Sequence, residues 1–420
     1  MPLLHRAAWV LPIAAPPIRD GWVLVDRGCI VAVGAGNPPV APEQGTSAPQ
    51  ASQAAADSRP LAPDSWDQSA ILPGLVNAHT HLELSWMRGR LASQPGSSMP
   101  EWASGLLALR RTLPNDPAAP IAQAVVEMRV TGTALVGDIT NSMASCAPLA
   151  GSALSAFVFR EVLGFNVAAP EQLVRAAQAE VDALTPLARI RGAVVPHAPY
   201  SVSPALLRAI ADAAGGSPMS VHLGESREEL EFLRLGTGPW RRLLEQLGVW
   251  TDAWPVPGCW PVEYLDRFGL VNDRLLAVHC VQLSDDELGR LAEARATVVT
   301  CPRSNRWTGA GTPPVDRFYR SGVRVAIGTD SLASVEDLNM FNEIAAVRAL
   351  APSVPAARIL ESATRAGAAA LGFGGECGTV EPGKRADLIA VGVPAGVTDV
   401  EEYLLSGRVS PSDIRWLDAY

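Results

Sequence analysis

Five of the six histidines in this chain fall just after short apolar runs: His79 and His81, then His197, His222 and His279. The sharpest local feature is His79-Thr80-His81. Residues two apart on a strand point to the same side, so both imidazoles can meet one cation. Taken alone, two histidines at that spacing are more often plain loop residues, and a lone His222 is more often a hydrogen-bonded core histidine. Asp330, in Gly328-Thr329-Asp330-Ser331, is equally at home as a turn residue. Together they change the balance: three imidazoles and one carboxylate make up a four-ligand divalent site. Glu225 follows in His222-Leu-Gly-Glu225, just ahead of Ser226-Arg-Glu-Glu229, a capping-box pattern that opens a helix. An acid there can favour the helix N-terminus, but Glu228 and Glu229 are better placed for that, which leaves Glu225 for proton transfer.

Those residues need a frame. Apolar runs at Gly74 to Asn77, Ala134 to Asp138, Ala153 to Phe159, Gly192 to Pro196, Met219 to His222, Leu275 to Val278, Thr297 to Thr300 and Val323 to Ile327 read as eight strands. Helical stretches such as Pro170 to Leu184, Pro204 to Ala214, Ser284 to Ala294 and Val335 to Leu350 fall among them. Eight βα units favour a closed (β/α)8 barrel, whose active site lies at the carboxyl ends of the strands, where the histidines fall. Ahead of the barrel, Gly21 to Asp26 and Cys29 to Val33 read as a hairpin, and Ala386 to Val391 is a strand beyond it. The predicted organisation is a small β domain from residues 1–70 and 375–420, with the barrel, 71–374, inserted between them. Residues 37–67 have loop composition and suggest a mobile surface excursion. The aromatic-rich Trp240 to Trp260 insertion reads as a lid or a subunit contact, the latter in a homodimer.

Composition narrows the partners. A net charge of -9 disfavours nucleic acid and anionic membrane surfaces, so a small molecule is the expected partner. No stretch reaches the ~20 apolar residues of a membrane span. The apolar run after Arg6 is broken by Pro12 and followed by strand pattern, which argues against a secretory signal. Six cysteines without CxxC pairs read as reduced thiols in a cytoplasmic protein.

The segments Leu72-Pro-Gly-Leu-Val-Asn-Ala-His-Thr-His81, Pro196-His-Ala-Pro-Tyr-Ser201, His222-Leu-Gly-Glu225, Val278-His-Cys280, Cys301-Pro-Arg-Ser-Asn305 and Gly328-Thr-Asp-Ser-Leu-Ala-Ser334 closely resemble the amidohydrolase superfamily, in its cytosine-deaminase-like and chlorohydrolase-like branch. The resemblance runs almost end to end. It implies an α/β fold, a distorted (β/α)8 TIM barrel with a β-sandwich-like domain from both termini, and metal ligation by His79, His81, His222 and Asp330. Relatives with two metals bridge them through a carboxylated lysine on the fourth strand; here the only lysine is Lys384, beyond the eighth. One divalent ion follows, zinc with iron as the competitor.

For such a site the expected reaction is hydrolytic deamination of a heterocycle. Asp330 takes a proton from water that the cation has acidified toward a pKa of ~7, and His279 orients that water or the oxyanion. Glu225 protonates a ring nitrogen, ammonia leaves, and His197 hydrogen-bonds the heterocycle. Glu83, Trp86 and Arg88, just after the paired histidines, and Arg160, after the third strand with Glu161, are candidates to contact substrate; a plain loop role is as good for Glu83, which otherwise suits sugar hydroxyls. His79-Thr-His-Leu-Glu-Leu-Ser85 and Pro196 to Ser203 resemble the subgroup that deaminates 6-aminodeoxyfutalosine in menaquinone biosynthesis, whose carboxylate Arg88 or Arg160 would meet. Other deaminations, loss of a halide and opening of a cyclic amide stand as alternatives; a catalytically dead barrel is disfavoured because no ligand is missing.

Overall fold

The computed structural model describes residues 2–37, 68–91, 97–112, 117–184 and 189–417. Most of the proposed excursion, 38–67, lies outside them.

The barrel strands are buried at nearly every residue, which is why they read as apolar runs with no alternation: helices cover one face and the barrel interior the other. β5 (Leu75–Thr80), β6 (Thr133–Thr140), β7 (Ser155–Val162) and β8 (Ile190–Pro196) form one parallel sheet. β9 (Met219–Leu223), β10 (Leu275–His279), β11 (Thr297–Thr300) and β12 (Arg324–Ile327) form a second. All eight expected strands are present. The two sheets meet at both edges through single backbone bonds, His222 N to His197 O at 2.9 Å and Asp330 N to His79 O at 3.0 Å. The result is a distorted (β/α)8 barrel, and both seams run through the histidine-rich rim.

One seam depends on a glycine. A Cβ on Gly328 would lie 2.8 Å from the carbonyl oxygen of His79 and 2.9 Å from its Cβ, so no side chain fits where the strand after β12 presses on β5. That approach brings Asp330 to the paired histidines.

A six-stranded sheet flanks the barrel in the order β14-β13-β4-β1-β2-β3. It combines β1 (Leu3–Val10), β2 (Ile18–Asp26), β3 (Cys29–Ala35) and β4 (Ser69–Pro73) with β13 (Leu388–Gly392) and β14 (Ile414–Trp416), so the two ends of the chain share one sheet. The hairpin of β2 and β3 and the later strand were expected; β1, β4 and β14 were not.

Helices Pro170–Asp182, Pro204–Ala213 and Asp285–Glu293 match their apolar periodicity. The expected helix from Val335 begins only at Met340. Asn339 caps it by accepting from Phe341 N, and Asp337 is turned outward to pair with Arg303, so local side-chain bonds outcompete helix at 335–339. No helix is long and apolar enough to cross a membrane among the described residues. All six cysteines are free.

Candidate active site

The rim gathers five imidazoles. Ring centroids of His79 and His81 lie 5.0 Å apart, those of His79 and His222 4.9 Å, His222 and His279 5.0 Å, and His197 and His222 4.8 Å. One nitrogen from each of His79, His81 and His222 falls within 4.8 Å of the others. Asp330 Oδ1 is 3.6 Å from His81 Nε2 and 3.9 Å from His79 Nε2. Burial leaves two of these imidazoles uncharged: His79 and His279 are held well below the usual histidine pKa, first by desolvation and then by neighbouring imidazoles, whereas at His222 desolvation is outweighed by the carboxylates of Glu161, Glu225 and Asp330, which raise it.

Several backbone and side-chain devices fix this geometry. Asn77 ties β5 to the β12 loop, accepting from Thr329 N and donating to Thr329 Oγ1 at 2.7 Å. Thr80 Oγ1 donates to Asp330 O, and Ser304 Oγ donates to Asp330 Oδ2 at 2.6 Å. Asp138 accepts from Leu82 N and fixes the turn that carries His81. His279, Cys280 and Asp330 have φ of +72°, +54° and +63°, a left-handed backbone costing roughly 1–3 kcal/mol apiece that the surrounding bonds must hold.

The cluster fits a divalent cation on its own chemistry. Nε2 of His79 and of His222 are buried without a hydrogen-bond partner among the described residues, an expensive state for polar atoms unless an ion takes their lone pairs. The outer nitrogens support this. His222 Nδ1 lies 3.0 Å from His279 Nε2, and His279 Nδ1 lies 3.0 Å from the Asn305 amide, whose Oδ1 is otherwise unpartnered. A half-turn of that amide exchanges its two ends in nearly the same space. Asn305 Oδ1 then accepts from His279 Nδ1, and His279 Nε2 accepts from His222 Nδ1, leaving His222 Nε2 bare for the metal.

Glu225 stands beside this cluster, 2% exposed, with Oε1 3.5 Å from His279 Nε2 and Oε2 without a partner. Burial pushes its pKa up to about 8, so it is protonated near neutrality. Glu229 holds the loop beneath it, accepting from Gly224 N and Glu225 N, both at 2.9 Å. Ser226 does cap the helix Arg227–Leu235, but the Glu229 carboxylate reaches back past the cap, so only half of the expected capping box forms.

Beside the imidazoles opens a cavity of about 380 Å³. Its far wall is apolar, built from the helix Met99–Arg110 and the helix Pro239–Gln246, with Trp102, Phe165 and Trp240 among its rings. The Trp240 to Trp260 insertion therefore supplies a cavity wall. His197 lines the cavity as a neutral ring, its pKa lowered to about 4 by burial, with Nδ1 2.6 Å from Ser201 Oγ.

Of the other expected substrate contacts, Glu83 lines the cavity, whereas Trp86, Arg88 and Arg160 do not. Trp86 is buried against Leu84, Met87 and Ala333, and Arg88 turns to Glu127. Arg160 pairs with Glu180 of the helix Pro170–Asp182. Neighbours on a strand face opposite ways, and it is Glu161 that faces in, 3.6 Å from His222 Nε2. Among the described residues the cavity's one guanidinium is Arg110, bound to Glu83 and Asn141 at 2.8 and 3.0 Å. Nothing in the sequence near the rim announced Arg110, because it arrives from the end of a helix; period-2 alternation would have marked Glu161 once the register of β7 was known.

This arrangement has relatives. The sequence profile of the amidohydrolase family matches residues 70–409. The aminodeoxyfutalosine deaminase of Deinococcus radiodurans is 34% identical over 317 residues, covering 72% of this chain and 74% of that protein. The 5-methylthioadenosine/S-adenosylhomocysteine deaminase of Nitratidesulfovibrio vulgaris strain Hildenborough is 33% identical over 348 residues, covering 78% and 72%. The crystal structure of an adenosine deaminase from Xanthomonas campestris with bound zinc superposes with a TM-score of 0.76 at 28% identity, covering 98% of this chain and 90% of that one. Barrel, rim and relatives agree: the chain belongs to the amidohydrolase family and is a hydrolase of carbon–nitrogen bonds other than peptide bonds.

Proposed function

We propose that this protein is a hydrolytic deaminase of a 6-aminopurine nucleoside, with 6-aminodeoxyfutalosine as its substrate and menaquinone biosynthesis as its setting. The observation that carries the deaminase reading is a buried Glu225, protonated near neutrality, set against a cluster of imidazoles two of which, His81 and His197, line a nucleoside-sized cavity. The narrower substrate is supported by the relative from Deinococcus radiodurans, and the apolar aromatic wall suits an aryl group on the sugar.

His79, His81, His222 and Asp330 would hold one divalent ion, zinc in our reading, as in the adenosine deaminase structure. When bound, the cation supplies the Lewis acidity that makes water a nucleophile near neutral pH. Asp330 accepts the proton released by that water. Glu225 donates its proton to a purine ring nitrogen, which drains electron density from C6 and opens it to attack. Asp330 then passes the proton it accepted to the amino group, ammonia departs as the C6 oxygen becomes a carbonyl, and the proton of that hydroxyl restores Glu225. With both ring nitrogens taken up by Asn305 and His222, His279 acts by fixing the His222 ring rather than by touching the attacking oxygen, the role expected from the sequence, and His197 hydrogen-bonds the base. The free thiols agree with a cytoplasmic enzyme.

The test is kcat/KM, by ammonia release, for 6-aminodeoxyfutalosine, 5′-methylthioadenosine, S-adenosylhomocysteine, adenosine, guanine and cytosine. The nucleosides are expected to exceed the free bases by about 10²-fold or more, because binding of the sugar contributes to the rate at the ring, with 6-aminodeoxyfutalosine first. Preference for another nucleoside would remove the narrow assignment; preference for a free base would remove the nucleoside reading. The relative that acts on methylthioadenosine makes that compound the main rival.

A further inference from the structure

We propose that Glu161, at the end of β7, is the carboxylate that receives the sugar hydroxyls of the nucleoside, and that Glu83 is not. The inference rests on the nucleoside reading above and names the group that selects a ribosyl substrate.

Two carboxylates line the cavity, and their hydrogen bonds differ sharply. Glu83 Oε2 accepts from Thr140 Oγ1, Asn141 N and Ser142 N, each at 3.0 Å, and from Ser142 Oγ at 2.7 Å; its Oε1 accepts from Arg110 at 2.8 Å. A carboxylate has about four lone-pair sites; five donors already crowd Glu83, four on Oε2 and Arg110 on Oε1, so it has far less capacity for a ligand than Glu161. It serves as the anchor that fixes Arg110 and the loop of Asn141.

Glu161 is 4% exposed, and its side chain has one hydrogen-bond donor among the described residues: Asn141 Nδ2, 2.9 Å from Oε2. Oε1 faces His222 Nε2 at 3.6 Å, outside hydrogen-bond reach. That nitrogen is also the one assigned to the cation, so it gives Oε1 no proton. A largely buried carboxyl group lining a cavity with one oxygen open calls for a donor. Glu161 ends the strand beside the one that leads to His197, and both line the same cavity, so a base held by His197 would present its sugar within reach of Glu161. A ribose 2′,3′-diol can give both hydroxyl protons to one carboxylate. The competing use of the same atoms is metal ligation, since Glu161, His197 and His222 also converge within 4.8 Å.

Adenosine and 2′,3′-dideoxyadenosine separate these roles in wild type, Glu161→Gln and Glu161→Asp, with ammonia release and metal per chain both measured. Wild type should favour adenosine by about 10²-fold, the value of charged hydrogen bonds to two hydroxyls. Glu161→Gln should shrink that preference below about 10-fold by losing adenosine turnover while barely changing the dideoxy rate, and should keep its metal; Glu161→Asp should fall between. Equal discrimination in wild type and Glu161→Gln, or loss of metal from the variant, would overturn the assignment. Lack of discrimination in wild type would overturn it with no need of a folded variant. Failure of wild type to release ammonia from these two nucleosides and from 6-aminodeoxyfutalosine alike would defeat the nucleoside reading itself, and this assignment with it.

Discussion

Glu225→Gln is expected to lose at least about 10²-fold in kcat and to keep its full complement of metal. Glutamine preserves the volume and one hydrogen-bonding oxygen of a residue that is 2% exposed, so the loop held by Glu229 has no reason to move. What disappears is a transferable proton. General acids contribute about 10²- to 10⁴-fold to rate, and this one carries its proton near neutrality because burial lifts its pKa to about 8. The check is steady-state ammonia release beside elemental analysis of the same preparation. Metal lost along with activity would make Glu225 a ligand; more than about a tenth of the wild-type rate would remove it from proton transfer.

Stripping the cation should have the larger effect. A chelator is expected to lower turnover by about 10³-fold or more, since Lewis acid stabilisation of the transition state is worth several kcal/mol. One equivalent of zinc should restore it. His222→Ala should not be restored at that stoichiometry, because it removes one of the orphaned buried imidazole nitrogens that would hold the cation, while the backbone bond from residue 222 to His197 stays. Activity that saturates only at two equivalents, or a fully active His222→Ala, would contradict the single site.

The barrel was legible because its strands are buried on both faces, so β5 to β12 each wrote an uninterrupted apolar run into the chain. The rim chemistry was legible for a related reason. Imidazoles and carboxylates at strand ends have no packing role that would place them there, and β5 delivers two imidazoles, His79 and His81, beside its last residue, while β8, β9 and β10 deliver one each at or beside theirs. Facts that depend on register or on distant partners were not readable. Arg160 and Glu161 differ only in which side of β7 they occupy, and the side is set by pairing with β6 and β8. Arg88 looked available until Glu127, 39 residues on, took it. Arg110 enters the cavity because the helix Met99–Arg110 forms part of its wall, and nothing local to that helix reports this. Glu229 looked like half of a capping box, yet its carboxylate went to the loop of Glu225, a longer reach that the spacing did not reveal. Strands β1, β4 and β14 are sheet members through partners far along the chain, with β4 paired to β13 more than 300 residues away.

The most direct test of the central claim is the fate of oxygen and nitrogen at C6 of the purine. Wild-type protein loaded with one zinc per chain is incubated with 6-aminodeoxyfutalosine in water enriched in oxygen-18, and product mass and ammonia are both measured. Hydrolytic deamination predicts one labelled oxygen in the 6-oxopurine product for each ammonia released, with the glycosidic bond intact. A product with no labelled oxygen, ammonia out of proportion to product, or free base from cleavage at the sugar would contradict the account.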